Sequence, residues 1–165
     1  MKWKLAIFLY PLLAFMAHAE NPKVILSTNH GNITIELNAD KAPITVKNFL
    51  KYVDSKFYDE TVFHRVINDF MIQGGGYTQG IKEKKTNSPI KNEAINKLPN
   101  NIGSIAMART NNIHSATSQF FINMADNTFL NYKNSSPQGY GYAVFGKVIK
   151  GFDIAKKIET AKTHN

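Results

Sequence analysis

Between Ile33 and Leu37 apolar and polar residues alternate strictly, as Ile33-Thr34-Ile35-Glu36-Leu37, which predicts a strand with one buried and one wet face. The apolar run Val24-Ile25-Leu26 lies upstream, separated from it by Asn29-His30-Gly31-Asn32, so the two read as a hairpin. The period then lengthens. Pro43 suits the first turn of a helix, and Val46, Phe49, Leu50 and Val53 recur at helical spacing, an amphipathic stripe that belongs to the core. From Phe63 to Gln73 the strand pattern returns and closes on Gly74-Gly75-Gly76.

The polar stretch from Tyr77 to Asn101, with Lys82, Lys84 and Lys85, reads as a surface loop. Strands are expected at Ser104–Ala108 and Ser118–Asn123, joined by a polar loop that contains His114. A short turn at Asn127–Leu130 and a loop over Asn131–Gly141 lead to a strand at Ala143–Val148. After Gly151 a last helix places Phe152, Ala155 and Ile158 on one face. Many strands with only two helices argue for a mainly β fold, an antiparallel barrel or sandwich with helical lids.

Met1–Ala19 differ in kind from the rest. Lys2 and Lys4 form a basic start, Leu5–Ala17 is apolar for 13 residues apart from Pro11, and Ala17-His18-Ala19 supplies the small residues of a cleavage site. This is the pattern of a secretory signal peptide cleaved after Ala19, giving a periplasmic or secreted product. A membrane anchor fits less well, because spanning a bilayer takes about 20 apolar residues. Removing 19 of the 165 residues leaves 146, and the formal charge falls from +8 to +6 as Lys2 and Lys4 leave. Residues 20–165 are expected to form one domain with a core that needs no staples. Cysteine is absent, which excludes disulfides, thiolate metal sites, thiol catalysis and lipid acylation of the mature chain.

Of the 20 basic residues 18 are lysine, so solvated charge is carried by lysine and the two arginines ask for a reason. Arg65 stands mid-strand in Phe63-His64-Arg65-Val66-Ile67, and strand parity places it with Phe63 and Ile67 on an apolar face. A cation buried there needs a partner; a structural ion pair or a strand-edge arginine is the plainer explanation. In Ser118-Gln119-Phe120-Phe121-Ile122-Asn123, Gln119 and Phe121 share a face, as Met71 and Gln73 do in Phe70-Met71-Ile72-Gln73. Each strand thus pairs an apolar side chain with an amide, and a groove lined this way could bind an extended peptide.

These segments resemble the cyclophilin family of peptidyl-prolyl cis-trans isomerases. The resemblance rests on Phe63–Ile67, Phe70–Gly75, Gly103–Arg109, Ser118–Ile122 and Phe145–Val148, which occur in family order and spacing over almost all of residues 20–165. It is nearest to the bacterial exported branch, which also carries Met-Ala-Arg-Thr, here Met107–Thr110. The resemblance implies a closed eight-stranded antiparallel barrel capped by two helices, with the substrate groove on its outer surface. It implies a catalytic Arg65, and a proline pocket of Phe70, Met71, Phe121 and Leu130 with Phe129 at the rim. Gln73 and Gln119 would hold the peptide backbone or orient Arg65. Ala108 and Arg109 would line the path of the residues before proline, with Tyr142 and His64 at the groove edge.

The implied chemistry needs neither nucleophile, metal nor cofactor. Rotation about an X–Pro bond breaks amide resonance and faces roughly 18–20 kcal/mol, so uncatalysed exchange takes tens to hundreds of seconds. As the bond twists, the proline nitrogen regains a lone pair. A guanidinium donating to it stabilises the twisted state above both planar ones. The partners implied are proline-containing peptides and unfolded exported proteins, met by a monomer without nucleic acid or membrane anchor.

Other readings are plainer or weaker. No proton moves in this reaction, so His64 is read as a packed histidine rather than a general base. His30, His114 and His164 lack ligand spacing, and Gly74-Gly75-Gly76 lacks the Lys-Ser/Thr of a phosphate loop. Scattered lysines argue against a nucleic-acid face. A peptide-binding or chaperone module with secondary turnover is the rival, and Arg65, Phe70, Gln73 and Phe121 together favour turnover. Two departures from the family stand out. Phe129 replaces the tryptophan that donates a hydrogen bond to cyclosporin in animal members, so drug binding is expected to be weak. Family members also continue past the last helix into a closing strand, whose connection Thr163-His164 resembles; either the recorded chain is truncated or another segment covers the edge of Val24–Leu26.

Overall fold

In the computed structural model, which describes residues 20–162, the alternating segment folds as β2 (Gly31–Leu37) against β1 (Lys23–Thr28). Ile33, Ile35 and Leu37 are fully buried. The turn is tighter than the sequence suggests, because pairing runs to Thr28 opposite Gly31 and leaves only Asn29-His30 to connect the strands. The Thr28 hydroxyl fixes it, donating to the Gly31 carbonyl (2.7 Å) and accepting from the His30 N–H (3.1 Å). The expected signal peptide, residues 1–19, lies outside the described residues, as does Thr163-His164.

Helix α1 (Pro43–Asp54) starts on its proline and buries Val46, Phe49 and Tyr52, with Leu50 and Val53 packed against the same core. Its N-cap residue, Ala42, makes no side-chain cap. Glu93 fills that place from a distant segment. One carboxylate oxygen accepts the Ile44 N–H (3.1 Å), and the other accepts the Thr45 N–H (2.8 Å) and hydroxyl (2.7 Å).

The strand pattern over Phe63–Gln73 folds as a hairpin. β3 (Arg65–Ile67) turns through Asn68-Asp69-Phe70 into β4 (Met71–Gly74), pairing Arg65 with Gln73 and Ile67 with Met71. Asp69 takes a positive φ of 55°, which Asp tolerates better than most residues. The polar stretch after it is not all loop, for it holds a small pair, β5 (Tyr77–Thr78) and β6 (Lys82–Glu83), and a 3₁₀ turn at Ala94–Asn96. β7 (Ser104–Met107), β8 (Phe120–Asn123), a 3₁₀ turn at Thr128–Leu130, β9 (Val144–Lys150) and α2 (Phe152–Glu159) follow among the described residues.

The main sheet is curled and antiparallel, in the order β1-β2-β9-β7-β8-β4-β3. Its edges are β1 and β3, and among the described residues no strand pairs with the outer side of β1. Among the described residues the fold is therefore mainly β, with two α-helices and seven strands in the main sheet, where the resemblance implied eight and closure. Every residue of β7 and β8 is buried, a pattern that requires both faces of the sheet to be covered. One face carries the main core, including Ile72, Ile105, Phe120, Ile122 and Phe145 beneath α1 and α2. The opposite face carries a smaller cluster of Met71, Ala106, Phe121 and Val144, flanked by Phe70, Leu98, Ala108, Leu130 and Tyr142. Among the described residues no helix is long and apolar enough to cross a membrane.

Candidate active site

The second face of the sheet holds an open groove of about 230 Å³ lined by Arg65, Phe70, Met71, Gln73, Ala108, Arg109, Phe121, Leu130 and Tyr142. Strand register explains its layout. Arg65 lies opposite Gln73, Gln73 opposite Phe121, Phe121 opposite Ala106, and Ala106 opposite Val144. Directly opposed residues point to the same side of a sheet. One row crossing five strands therefore runs from a cation through an amide to an apolar floor.

The amide at the middle of the row is held in a short relay. Gln73 Nε2 donates to Gln119 Oε1 (2.9 Å), which leaves Gln73 Oε1 to accept a long contact from Arg65 Nη1 (3.5 Å). Gly76 makes room for this arrangement, since a Cβ there would stand 2.6 Å from Gln119 Cγ. The run Gly74-Gly75-Gly76 thus permits the close backbone approach expected of it.

Arg65 corrects its sequence expectation. It is exposed rather than buried, and Ile67 beside it is 38% exposed. The parity argument failed because β3 begins only at Arg65. Phe63 lies before the strand and turns its ring into the main core, edge-on to Phe120 at 6.3 Å. Arg65 lies on the edge strand β3, and its fork faces the groove.

Arg109, by contrast, has three of its five N–H groups bound to backbone carbonyls. Its Nε donates to the Gly141 carbonyl (2.9 Å), Nη1 to that of Thr110 (2.8 Å) and Nη2 to that of Pro137 (2.8 Å), while Cζ lies 4.8 Å from the Tyr142 ring centroid. Tyr142 meets Phe121 edge-on at 5.7 Å. Phe129 is outside the groove lining, 59% exposed, with its ring stacked on Phe70 at 5.7 Å.

His64 is also outside the lining. Its ring packs on Tyr77 at 4.5 Å and its Nδ1 is buried without a hydrogen bond of ordinary geometry. Burial lowers its pKa below the usual 6.5 against an opposing pull from the Val62 backbone, with Arg65 lowering it further and Gln119 raising it. Among the described residues no cluster of three or more His, Asp or Glu stands ready to hold a metal ion.

Behind the groove lies a layer that the sequence did not reveal. Asn123 Nδ2 donates to Asn100 Oδ1 (3.2 Å) and Ser104 Oγ (2.9 Å), and Asn127 Nδ2 donates to Asn123 Oδ1 (2.8 Å). The network reaches the groove walls through their carbonyls: Asn127 to Phe70 (2.8 Å), and Asn100 to Leu130 (3.3 Å) and Tyr142 (3.4 Å). Buried amides cost free energy unless satisfied, and here their partners are the backbone of three groove residues. In a sequence such asparagines look like turn residues.

The groove thus combines an apolar floor, amides along one side and an outward-facing guanidinium. Comparison with known proteins gives the family. The model of the family "Cyclophilin type peptidyl-prolyl cis-trans isomerase/CLD" matches residues 23–165, and the chain belongs to that family. It is 57% identical over 140 residues to peptidyl-prolyl cis-trans isomerase B of Escherichia coli (strain K12), covering 85% of each chain. To a peptidyl-prolyl cis-trans isomerase of Acinetobacter baylyi it is 58% identical over 161 residues, 97% of this chain and 84% of that one. A Cryptosporidium parvum cyclophilin solved in the presence of the dipeptide Ala-Pro superposes with a TM-score of 0.72 at 28% identity, covering 87% and 88% of the two chains. The protein is a cyclophilin-type peptidyl-prolyl cis-trans isomerase.

Proposed function

We propose that the protein accelerates rotation about X–Pro bonds by donating from the Arg65 guanidinium to the proline nitrogen as it pyramidalises. The observation that carries this is the row Arg65–Gln73–Phe121, in which an exposed fork lies beside an apolar floor and is oriented through Gln73 by Gln119. Phe70, Met71, Phe121 and Leu130 grip the proline ring. The carbonyl before it swings past Arg65 while resonance is broken. The ground states are planar and keep the nitrogen lone pair in the amide, so the fork is matched to the twisted state alone. Preorganised donors aimed at developing charge or lone pairs supply about 3–4 kcal/mol in well-studied sites, against the roughly 18–20 kcal/mol barrier.

The substrate class is the proline-containing peptide, as the Ala-Pro dipeptide of the Cryptosporidium relative suggests. The basic, apolar and small-residue pattern of Met1–Ala19 supports a role outside the cytoplasm, in the folding of exported proteins. Weak cyclosporin binding follows from Phe129, a ring with no donor.

The test is isomerisation of a short Ala-Pro peptide by residues 20–165, beside Arg65→Ala, with circular dichroism on both samples. Fast exchange that is lost in a folded Arg65→Ala is the expected result. A folded but inactive wild type would refute the proposal in favour of a peptide-binding module.

A further inference from the structure

Arg109 lines the same groove as Arg65 but its fork is tied to the backbone. Three backbone carbonyls take its fork, and two of them, Pro137 and Gly141, belong to the long loop that runs from Asn131 to Tyr142. That loop has no strand to hold it. Its ends meet where the Tyr142 N–H donates to the Leu130 carbonyl (3.0 Å), and Gly141, at φ +74°, sits where a Cβ would stand 2.7 Å from the Leu130 oxygen. Asn92 donates a further hydrogen bond to the Gly141 carbonyl (3.2 Å). The next residue, Tyr142, places its ring between the Arg109 guanidinium and the edge of Phe121.

We propose that Arg109 is a positioning residue: it clamps the loop 131–142 and sets the Tyr142 wall of the proline groove, and does not read the charge of the substrate. The inference rests on the isomerase reading of that groove. A planar fork is needed because three carbonyls converge on it from fixed directions while its face supports an aromatic ring; a lysine ammonium supplies charge without that geometry. The side chain before proline therefore passes a cation with three of its five N–H groups tied to the backbone and its face against Tyr142, and acidic, neutral and basic residues should be accepted alike.

The test measures kcat and KM for three short peptides placing Glu, Ala or Lys before proline. Wild type, Arg109→Lys, Arg109→Gln, Tyr142→Leu and the double variant Arg109→Lys/Tyr142→Leu are compared, each with an amide ¹H–¹⁵N spectrum. Arg109→Lys is expected to lose about tenfold in kcat/KM on all three peptides, through KM, because a displaced wall costs orientation. Adding it to Tyr142→Leu should cause no further loss, and its spectrum should shift at Gly141 and Tyr142. Wild-type KM in Arg109→Lys would overturn the proposal, as would a loss confined to the Glu peptide or losses that multiply in the double variant. If Arg109→Gln fails to fold, the lysine variant decides alone. A wild type without turnover refutes the isomerase mechanism instead. In that event unmoved Gly141 and Tyr142 amides in Arg109→Lys would still overturn the clamp.

Discussion

Removing the Glu93 carboxylate tests how the groove is tied to the helical layer. Helix α1 begins without a capping side chain, and Glu93 satisfies the Ile44 and Thr45 N–H groups together with the fully buried Thr45 hydroxyl. Losing an N-cap costs about 1 kcal/mol. Losing a negative charge at a helix N-terminus costs about 0.5 kcal/mol more, and stranding a buried hydroxyl about 1 kcal/mol. Glu93→Ala should therefore destabilise the protein by about 2–3 kcal/mol, a large share of the roughly 5–15 kcal/mol typical of a domain. Urea unfolding followed by far-ultraviolet circular dichroism should show a midpoint lowered by about 1 M with an unchanged slope. Thr45→Ala should cost less in the Glu93→Ala background than in wild type, since the two side chains share one interaction. The effect should reach the groove, because Asn92 beside Glu93 holds the Gly141 carbonyl. A Glu93→Ala midpoint within experimental scatter of wild type would refute the reasoning, as would strict additivity with Thr45→Ala.

Gly76→Ala should place a Cβ against Gln119, break the Gln73–Gln119 hydrogen bond and lower kcat/KM by about tenfold in a peptide assay, with the fold retained by circular dichroism. Stability should fall on acidification. His64 is held below its usual pKa of 6.5 by burial, so the unfolded chain binds the proton more tightly. Its contribution is therefore full above pH 6.5 and lost as pH drops through the folded value, and His64→Phe should flatten that part of a stability–pH curve. Phe129→Trp should tighten cyclosporin binding by about tenfold in calorimetric titration, the worth of one added hydrogen bond; equal affinity would contradict the role given to Phe129.

Period-two patterning made much of the groove legible. It placed Gln119 with Phe121 and Met71 with Gln73, and the register puts Gln73 opposite Phe121. The same reasoning misjudged Arg65, because parity was carried back to Phe63 across a strand that had not yet begun. The turn at Asn68-Asp69-Phe70 was not marked out within the strand pattern of Phe63–Gln73, because the apolar Phe70 continues that pattern. The asparagine layer and Glu93 were invisible for a different reason. Asn100, Asn123, Asn127 and Glu93 are polar residues that each have a partner far away in sequence, so nothing local separates them from ordinary loop positions. Arg109 was legible as an arginine that needed a reason, but its three carbonyl partners were not.

The claim that the Arg65 fork acts on the twisted imide is tested most directly by the interconversion rate of a bound peptide. Exchange spectroscopy on an Ala-Pro peptide saturated with wild type, Arg65→Lys and Arg65→Ala separates that rate from affinity. The account predicts that both variants slow interconversion on the enzyme by about a hundredfold while the peptide binds nearly as tightly, because the apolar grip of Phe70, Met71 and Phe121 is untouched. An unchanged rate on the enzyme, with only affinity lost, would contradict it.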